Sequence, residues 1–339
     1  MESSQNNIKD VAQLAGVSIA TVSRVIHQKP GFSALTLKKV KKAMHSLHYE
    51  PNKLAQTLKT GFTHTVAVSV PSIWHPFFSE FTYYLETKLN QNGYNIFLSS
   101  NESNPKSELS FLQMAKENKV DGIIAITYND VEPYLSSQIP FVSIDRLFST
   151  KKYPQVATIT SDNLKGGQIA FRELVNRGSK KLAYIGRSPL YSNSIINRKK
   201  GFVQAAHKVH IPCKIFESEK GDLSINYLID KLISQIDSID GIFALDDENV
   251  YRILHHLKQV SISIPQDLQI IGYDGSNILK GVPSPISSIV QPIKGMAETA
   301  VKDILLLINH PNQKINNAVL PVHFRDGNTT RVKNKNLLI

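Results

Sequence analysis

Cysteine is almost absent from this chain: Cys213 is the only one among 339 residues. No disulfide can form within the chain, and no metal site built from several thiolates is available. Long hydrophobic runs are missing as well. None approaches the roughly 18 apolar residues that a membrane span needs, so no membrane partner is expected. The opening MESSQNN has neither the basic start nor the apolar stretch of a secretory signal, which makes the cytoplasm the expected location. Enzyme signatures are equally thin. Gly166-Gly167 is not followed by Lys and Ser or Thr, no GxGxxG follows a strand-like run, and there is no GxSxG. His255 and His256 are adjacent and cannot share a helix face. His45 and His48 have metal-like spacing but no third ligand nearby, and a solvated helix face suits them better. The expectation is a protein that is not an enzyme and that carries no cofactor and no metal.

Acidic residues are scarce at one end only. Residues 1–61 contain nine Lys or Arg against three acids, a surplus of +6, which leaves +5 for the rest of a chain whose net charge is +11. A basic head on a nearly balanced body is the electrostatic footprint of a nucleic-acid-binding module. The length exceeds one ordinary core, so two or three domains are expected. A hydrophobic content of 41% is ordinary for a folded chain.

Within the basic head, residues 8–28 read IKDVAQLAGVSIATVSRVIHQ. Ile8, Val11, Ala12 and Ala15 recur at helical spacing and make one buried face. Gly16 suits a helix C-terminus, where positive φ is needed. Ser18 is an N-cap for a second helix, whose inward stripe is Val22, Val25 and Ile26. Ile19, Ala20, Ser23 and Arg24 are left outward, with Thr21 beside them. Small outward residues ending in an arginine let a helix sink into a DNA major groove, where Arg pairs two donors with a guanine edge. The run DVAxxAGVSxxTVSRV resembles the helix-turn-helix head of the LacI family of bacterial transcription regulators. That resemblance implies DNA contacts from Ser18, Ile19, Ala20, Thr21, Ser23 and Arg24.

Ser33 is placed to cap a third helix from about Ala34 to Leu47. Leu37, Val40, Ala43, Met44 and Leu47 face the first two helices, and Lys38, Lys39, Lys41 and Lys42 lie opposite, suited to phosphates. Pro51 ends that stretch. In the run PNKLAQTLKTG (51–61), Asn52 can cap a short helix closed by Gly61. Alone, so short a helix is marginal in water. In the resembled family it pairs with its twin from a second subunit and enters the minor groove, where a leucine wedges between base pairs. Leu58 matches that wedge, with Asn52, Lys53, Ala55 and Gln56 as companion DNA contacts. Gln56 stands where many relatives carry arginine.

From Thr65 onward short apolar strands alternate with amphipathic helices. VAVSV (66–70), YNIFLS (94–99), GIIAI (122–126) and PFVSI (140–144) form one run. KLAYIG (181–186), IDGIFAL (239–245) and LQIIGYD (268–274) form another. Such alternation predicts parallel sheets covered by helices, here in two Rossmann-like lobes. The fold class is thus α/β, with a small all-α head. Ligands of open α/β sheets bind beyond the carboxyl ends of the strands. The body resembles the periplasmic sugar-binding-protein fold that serves LacI-family repressors as a sensor, with the chain crossing between the lobes. The organisation expected is a head over 1–50, a hinge helix and linker over 51–64, and an effector-binding and dimerisation domain over 65–339.

A small polyol needs carboxylates that accept from adjacent hydroxyls, arginines that donate in a fork, and an aromatic face. Asp145, Arg146, Arg198, Asp246, Asp274 and Gln291 supply the polar set, Phe77 or Phe78 the ring, with Trp74 close by. The set is similar to that of ribose-binding proteins, although Asp246 stands where Asn is frequent. Each residue also has a plainer reading. Asp145 and Asp274 can cap helices, Arg146 can be a surface ion pair, and Asp162-Asn163 is better read as a cap than as a ligand.

The resemblance implies a repressor that acts as a homodimer on a pseudo-palindromic double-stranded DNA operator and answers to a small sugar, a ribose-like pentose being favoured. Two alternatives stay open. One is a sucrose or fructofuranoside response, because IDR, SDN-GG and GYDG are shared with sucrose-operon repressors. The other is a global regulator of carbon use controlled by a phosphorylated partner protein. The end at Ile339 carries no leucine-rich heptad tail, which favours a dimer over a tetramer.

Overall fold

The computed structural model describes residues 6–27, 29–50, 61–149, 152–153, 155–187, 192–218, 224–258, 260–279 and 281–333. The chain divides into two compact units, Met1–Thr63 and His64–Ile339.

In the first unit, α1 (Ile8–Ala15) opens on a reciprocal cap: the Asn7 side chain accepts from Lys9 N, and Asp10 accepts from Asn7 N at 2.7 Å. Gly16 closes it at φ 65, the left-handed conformation its position calls for. Ser18 then caps α2 (Ile19–Ile26), accepting from Thr21 N, and Ser33 caps α3 (Ala34–Ser46), accepting from Thr36 N. Val11, Ala12, Ala15, Val22, Val25, Val40 and Ala43 are buried together, with Ile8, Ile26, Leu37, Met44 and Leu47 packed around them. The helical periodicity of the sequence is therefore the core of this unit. The hinge-helix expectation for residues 51–60 lies outside the described residues.

The second unit holds two lobes. In chain order its elements are β1 (Thr65–Val70), α4 (Pro76–Gln91), β2 (Asn95–Ser100), α5 (Pro105–Glu117), β3 (Gly122–Ile126), β4 (Phe141–Ile144) and β5 (Val156–Ser161). There follow α6 (Asn163–Asn176), β6 (Leu182–Arg187), α7 (Asn193–Lys208), β7 (Cys213–Ser218), α8 (Ile225–Ile233), β8 (Gly241–Ala244), α9 (Asp247–Leu257) and β9 (Gln269–Asp274). The last are β10 (Ser288–Val290), α10 (Ile293–Asn309), β11 (Ala318–Leu320) and β12 (His323–Arg325). One six-stranded sheet has the order β11-β5-β4-β3-β1-β2, the other β12-β10-β9-β8-β6-β7. Pairing is parallel except between β10 and β12. The α/β class and the two lobes are as the alternation predicts.

The chain passes between the lobes after β5, after β10 and after β11. As a result α10, late in sequence, belongs to the first lobe. Its Ile293, Met296, Ala300, Ile304 and Leu307 are buried with Val66, Val68, Phe81 and Leu85 of β1 and α4. At about 1.5–3 kcal/mol for each large buried side chain, that packing ties α10 firmly to the first sheet. In the second lobe α6 and α7 meet backbone to backbone. A Cβ on Gly167 would lie 2.1 Å from Arg198 O, and one on Gly201 would lie 2.0 Å from Leu164 O. Only glycine permits that approach, and it fixes where Arg198 emerges.

Candidate functional site

The first unit presents one face of α2. Ile19, Ala20 and Arg24 are exposed there, Thr21 and Ser23 partly so, and Ser18 stands at the helix start with its hydroxyl 2.9 Å from that of Thr21. Lys38, Lys39, Lys41 and Lys42 are exposed on α3. This gives a short-side-chain face ending in a guanidinium, with ammonium groups on a neighbouring helix. Asn52, Lys53, Ala55, Gln56 and Leu58 lie outside the described residues.

Between the lobes of the second unit lies a small, partly open cavity. Its walls are strand ends and helix starts. From the first lobe come Phe77 and Phe78 at the start of α4, and Asp145 just after β4. From the second come Arg198 on α7, Asp246 just before α9, and Asp274 closing β9; Gln291 sits on the second crossing. Asp145 and Asp274 both have positive φ, 63° and 100°. That conformation is costly for a residue with a Cβ and is typical of positions whose side chain must be aimed.

These groups hold one another in place. Thr160 donates to Asp145 Oδ1 at 3.1 Å. Gln291 Nε2 donates to Asp274 Oδ1 at 2.8 Å, while Ser161 Oγ donates to Gln291 Oε1 at 2.6 Å. Arg198 lies 3.4 Å above the Tyr273 ring, donates to Leu245 O, and donates twice to Asn163 Oδ1, at 3.1 and 3.3 Å. Burial raises the Asp145 carboxyl, against Arg198, Ser194 and Thr160, which lower it. Burial likewise pushes Asp274 up to about 7, with Arg198 and His75 opposing and Asp246 adding to the rise. Asp246 goes the other way. Burial would raise it, but the His75 imidazole and the Asn249 N–H bring it below the ordinary value. A cavity with carboxylates accepting on several sides, one forked donor and an aromatic wall can recognise adjacent hydroxyls.

Two residues grouped with this set in sequence are elsewhere. Trp74 is 94% exposed and does not line the cavity. Arg146 is buried but turns into the loop before β4, where it donates to Asn129 O and pairs with Glu132. The physical reason is the set of partners it finds there: its guanidinium lies 4.9 Å over the Phe148 ring and 3.4 Å from Glu132. Asp162 is a cap, accepting from Lys165 N at 3.0 Å, and Asn163 is the buried acceptor for Arg198. His75, Tyr128, Ser194 and Ile195 line the cavity and were not singled out from sequence. For His75 the available signal was its place immediately before Pro76, at a helix entrance on a strand-end loop. Asp247, next to Asp246, is not part of the wall. It is buried against Ser288, whose hydroxyl donates to it at 2.6 Å. Among the described residues, no cluster of three or more His, Cys, Asp or Glu is arranged for a metal ion, and no helix is long and apolar enough to cross a membrane.

Residues 7–52 match the family of bacterial regulatory proteins called the lacI family, and residues 171–330 match a periplasmic binding protein-like domain. The sucrose operon repressor of Streptococcus mutans is 34% identical over 323 residues, covering 94% of this chain and 98% of that protein. The ribose operon repressor of Bacillus subtilis is 29% identical, covering 96% and 98%. A periplasmic binding protein/LacI transcriptional regulator from Alkaliphilus metalliredigens, solved with D-xylulofuranose, superposes with a TM-score of 0.69 at 27% identity. It covers 79% of this chain and 100% of that one. With a helix-turn-helix unit, a two-lobed binding-protein fold and relatives matched over nearly their whole length, this chain belongs to the lacI family of bacterial regulatory proteins.

Proposed function

We propose that the protein is a cytoplasmic, homodimeric repressor of a sugar-utilisation operon, with no enzymatic activity of its own. Residues 1–50 read a pseudo-palindromic double-stranded operator through Ser18, Ile19, Ala20, Thr21, Ser23 and Arg24. Residues 51–64 act as a hinge, with Asn52, Lys53, Ala55, Gln56 and Leu58 at the operator centre. Residues 65–339 bind a small sugar and dimerise. The observation that carries the sugar reading is the ring of Asp145, Asp246, Asp274, Arg198 and Gln291 around the cavity, with Phe78 against it. The cleft is narrow, which favours a single sugar ring, a ribose-like pentose first. The carboxylates outnumber the cations, which disfavours a phosphorylated sugar. A fructofuranosyl sugar is the second reading, supported by the Streptococcus mutans relative.

Two measurements test this. In a mobility-shift assay with operator-length duplexes, the protein shows sequence preference and a steep loss of affinity with salt. Calorimetry with D-ribose, D-fructose and sucrose finds one sugar that binds and that changes operator affinity. Leu58→Gly abolishes operator binding and leaves sugar binding intact. Indifference to every duplex, or loss of both activities together in that variant, overturns the reading.

A further inference from the structure

His75 stands on the first lobe, yet everything that could charge it belongs to the second. Its Nε2 is 3.8 Å from Asp246 Oδ2, 3.7 Å from Glu248 Oε2 and 3.9 Å from Asp274 Oδ2. Its own lobe offers the Phe78 ring at 4.9 Å, and Nδ1 is buried with no hydrogen-bond partner among the described residues. The residue is also the N-cap of α4 and makes no capping bond. A positive charge at a helix N-terminus is disfavoured by the helix dipole. With the lobes apart the imidazole keeps that neighbour and loses the three carboxylates, which favours the neutral form.

We propose that His75 is the closure and positioning residue of the effector cleft: closing the lobes places its imidazole among Asp246, Glu248 and Asp274, takes up a proton, and fixes the carboxylates that meet the sugar. The inference rests on the cleft being the effector site. Asp246 and Glu248 reach it from the start of α9, Asp274 from the end of β9, Arg198 from α7 and Asp145 from the end of β4. Glu248 is itself bonded to Arg252, at 3.0 Å to Nε. On α4, Glu80 makes a separate contact between the lobes, accepting from Asn277 N at 3.2 Å.

Burial alone lowers the His75 value. Asp246, Asp274 and Glu248 outweigh it and raise the imidazole from 6.5 to about 9. The stabilisation contributed by the His75 proton is therefore fully present below pH 6.5 and is lost as pH rises through about 9, while Asp274, pushed up to about 7, is itself protonated at the lower end of that range. Closure and proton uptake are two readings of one equilibrium.

The test uses the full chain with spin labels on exposed positions of the two lobes, introduced as Lys106→Cys and Lys231→Cys in a Cys213→Ser background. The distance between labels lengthens in the parent as pH passes from 6.5 through about 9. In His75→Gln it is long at every pH. In Glu248→Gln, which removes one half-exposed carboxylate, the midpoint moves to lower pH. Whichever of D-ribose, D-fructose and sucrose binds most tightly loses about tenfold in affinity in His75→Gln at low pH, the scale of one hydrogen bond to a charged group. In the parent it loses as much on raising the pH. Identical distances in parent and His75→Gln at every pH, or affinities that fall in parallel with pH, overturn the proposal. If none of the sugars binds either protein while the distances still diverge, the effector reading fails and the role of His75 in closure stands.

Discussion

Ser194 and Asp145 join the two lobes directly. The Ser194 hydroxyl, on the first turn of α7, donates to the Asp145 carbonyl at 2.8 Å and lies 3.0 Å from its Oδ1. Asp145 belongs to the other lobe, holds a positive φ and is 7% exposed. A buried carboxylate that loses a donor keeps its desolvation cost, about 1–3 kcal/mol. Ser194→Ala is therefore expected to lower stability by that amount and to weaken sugar binding by about tenfold or more. Thermal unfolding and calorimetry on the same preparation check both.

The position of Arg198 is set by a glycine three residues away. Because the Gly201 Cα faces Leu164 O across the α6–α7 contact, an added methyl has nowhere to go and the helices must part. Gly201→Ala is expected to cost about 1–3 kcal/mol from overpacking, and to shift Arg198 off the Asn163 carbonyl. Conservative replacement of Arg198 by Lys keeps the charge but loses the fork that meets Asn163 twice. If sugar affinity falls in Gly201→Ala while Arg198→Lys retains it, the helix contact does not act through Arg198.

Asp274 should make the second unit less stable as pH rises toward neutrality. Its carboxyl moves from the ordinary 3.8 up to about 7 in the folded protein. The folded state thus holds the proton more tightly than the unfolded state does. The corresponding stabilisation is complete below 3.8 and is lost as pH rises through about 7. Asn in its place tolerates the left-handed backbone and never ionises. Asp274→Asn should gain on the parent across this window by at most about 1.4 kcal/mol per pH unit, while losing the sugar. Unfolding midpoints that run parallel for the two proteins across this range would show that the burial penalty on Asp274 is relieved in some other way.

What the sequence made legible was what is decided locally. Gly16, Ser18 and Ser33 mark helix ends through bonds within a turn, and Val22, Val25 and Val40 reveal their burial through spacing alone. The strands around Val68, Ile124 and Ile271 stand out because a sheet covered on both faces needs unbroken apolar runs. β10, β11 and β12, of three residues each, are too short to carry a pattern, so the repeated crossing and the lodging of α10 in the first lobe depend on tertiary packing. The site divides in the same way. Asp145, Asp246 and Asp274 are visible as acids at strand ends. Which of Arg146 and Arg198 turns inward depends on partners distant in sequence, Glu132 for one and Asn163 for the other, and the setting of His75 depends on carboxylates that lie more than 170 residues further along the chain.

The basic head allows the two kinds of DNA contact to be separated. Arg24 ends the exposed face of α2, beside the small residues Ala20 and Ser23, where a fork can reach the edge of a guanine. Lys41 and Lys42 are exposed on α3 and, as flexible point charges, suit phosphate oxygens. A bidentate base contact is worth about 1–3 kcal/mol of discrimination against the wrong base, whereas a phosphate contact adds affinity for any sequence. Arg24→Ala is therefore expected to cost about 1–3 kcal/mol on the best operator and little on a scrambled duplex, flattening the preference at one base pair. Lys42→Gln should weaken both duplexes alike and reduce the slope of log affinity against log salt by about one. Binding isotherms on both duplexes over a range of salt separate the outcomes. An Arg24→Ala protein that loses equally on both would move Arg24 from base reading to backbone positioning, and the operator would then have to be read through Ser18, Ile19, Ala20, Thr21 and Ser23.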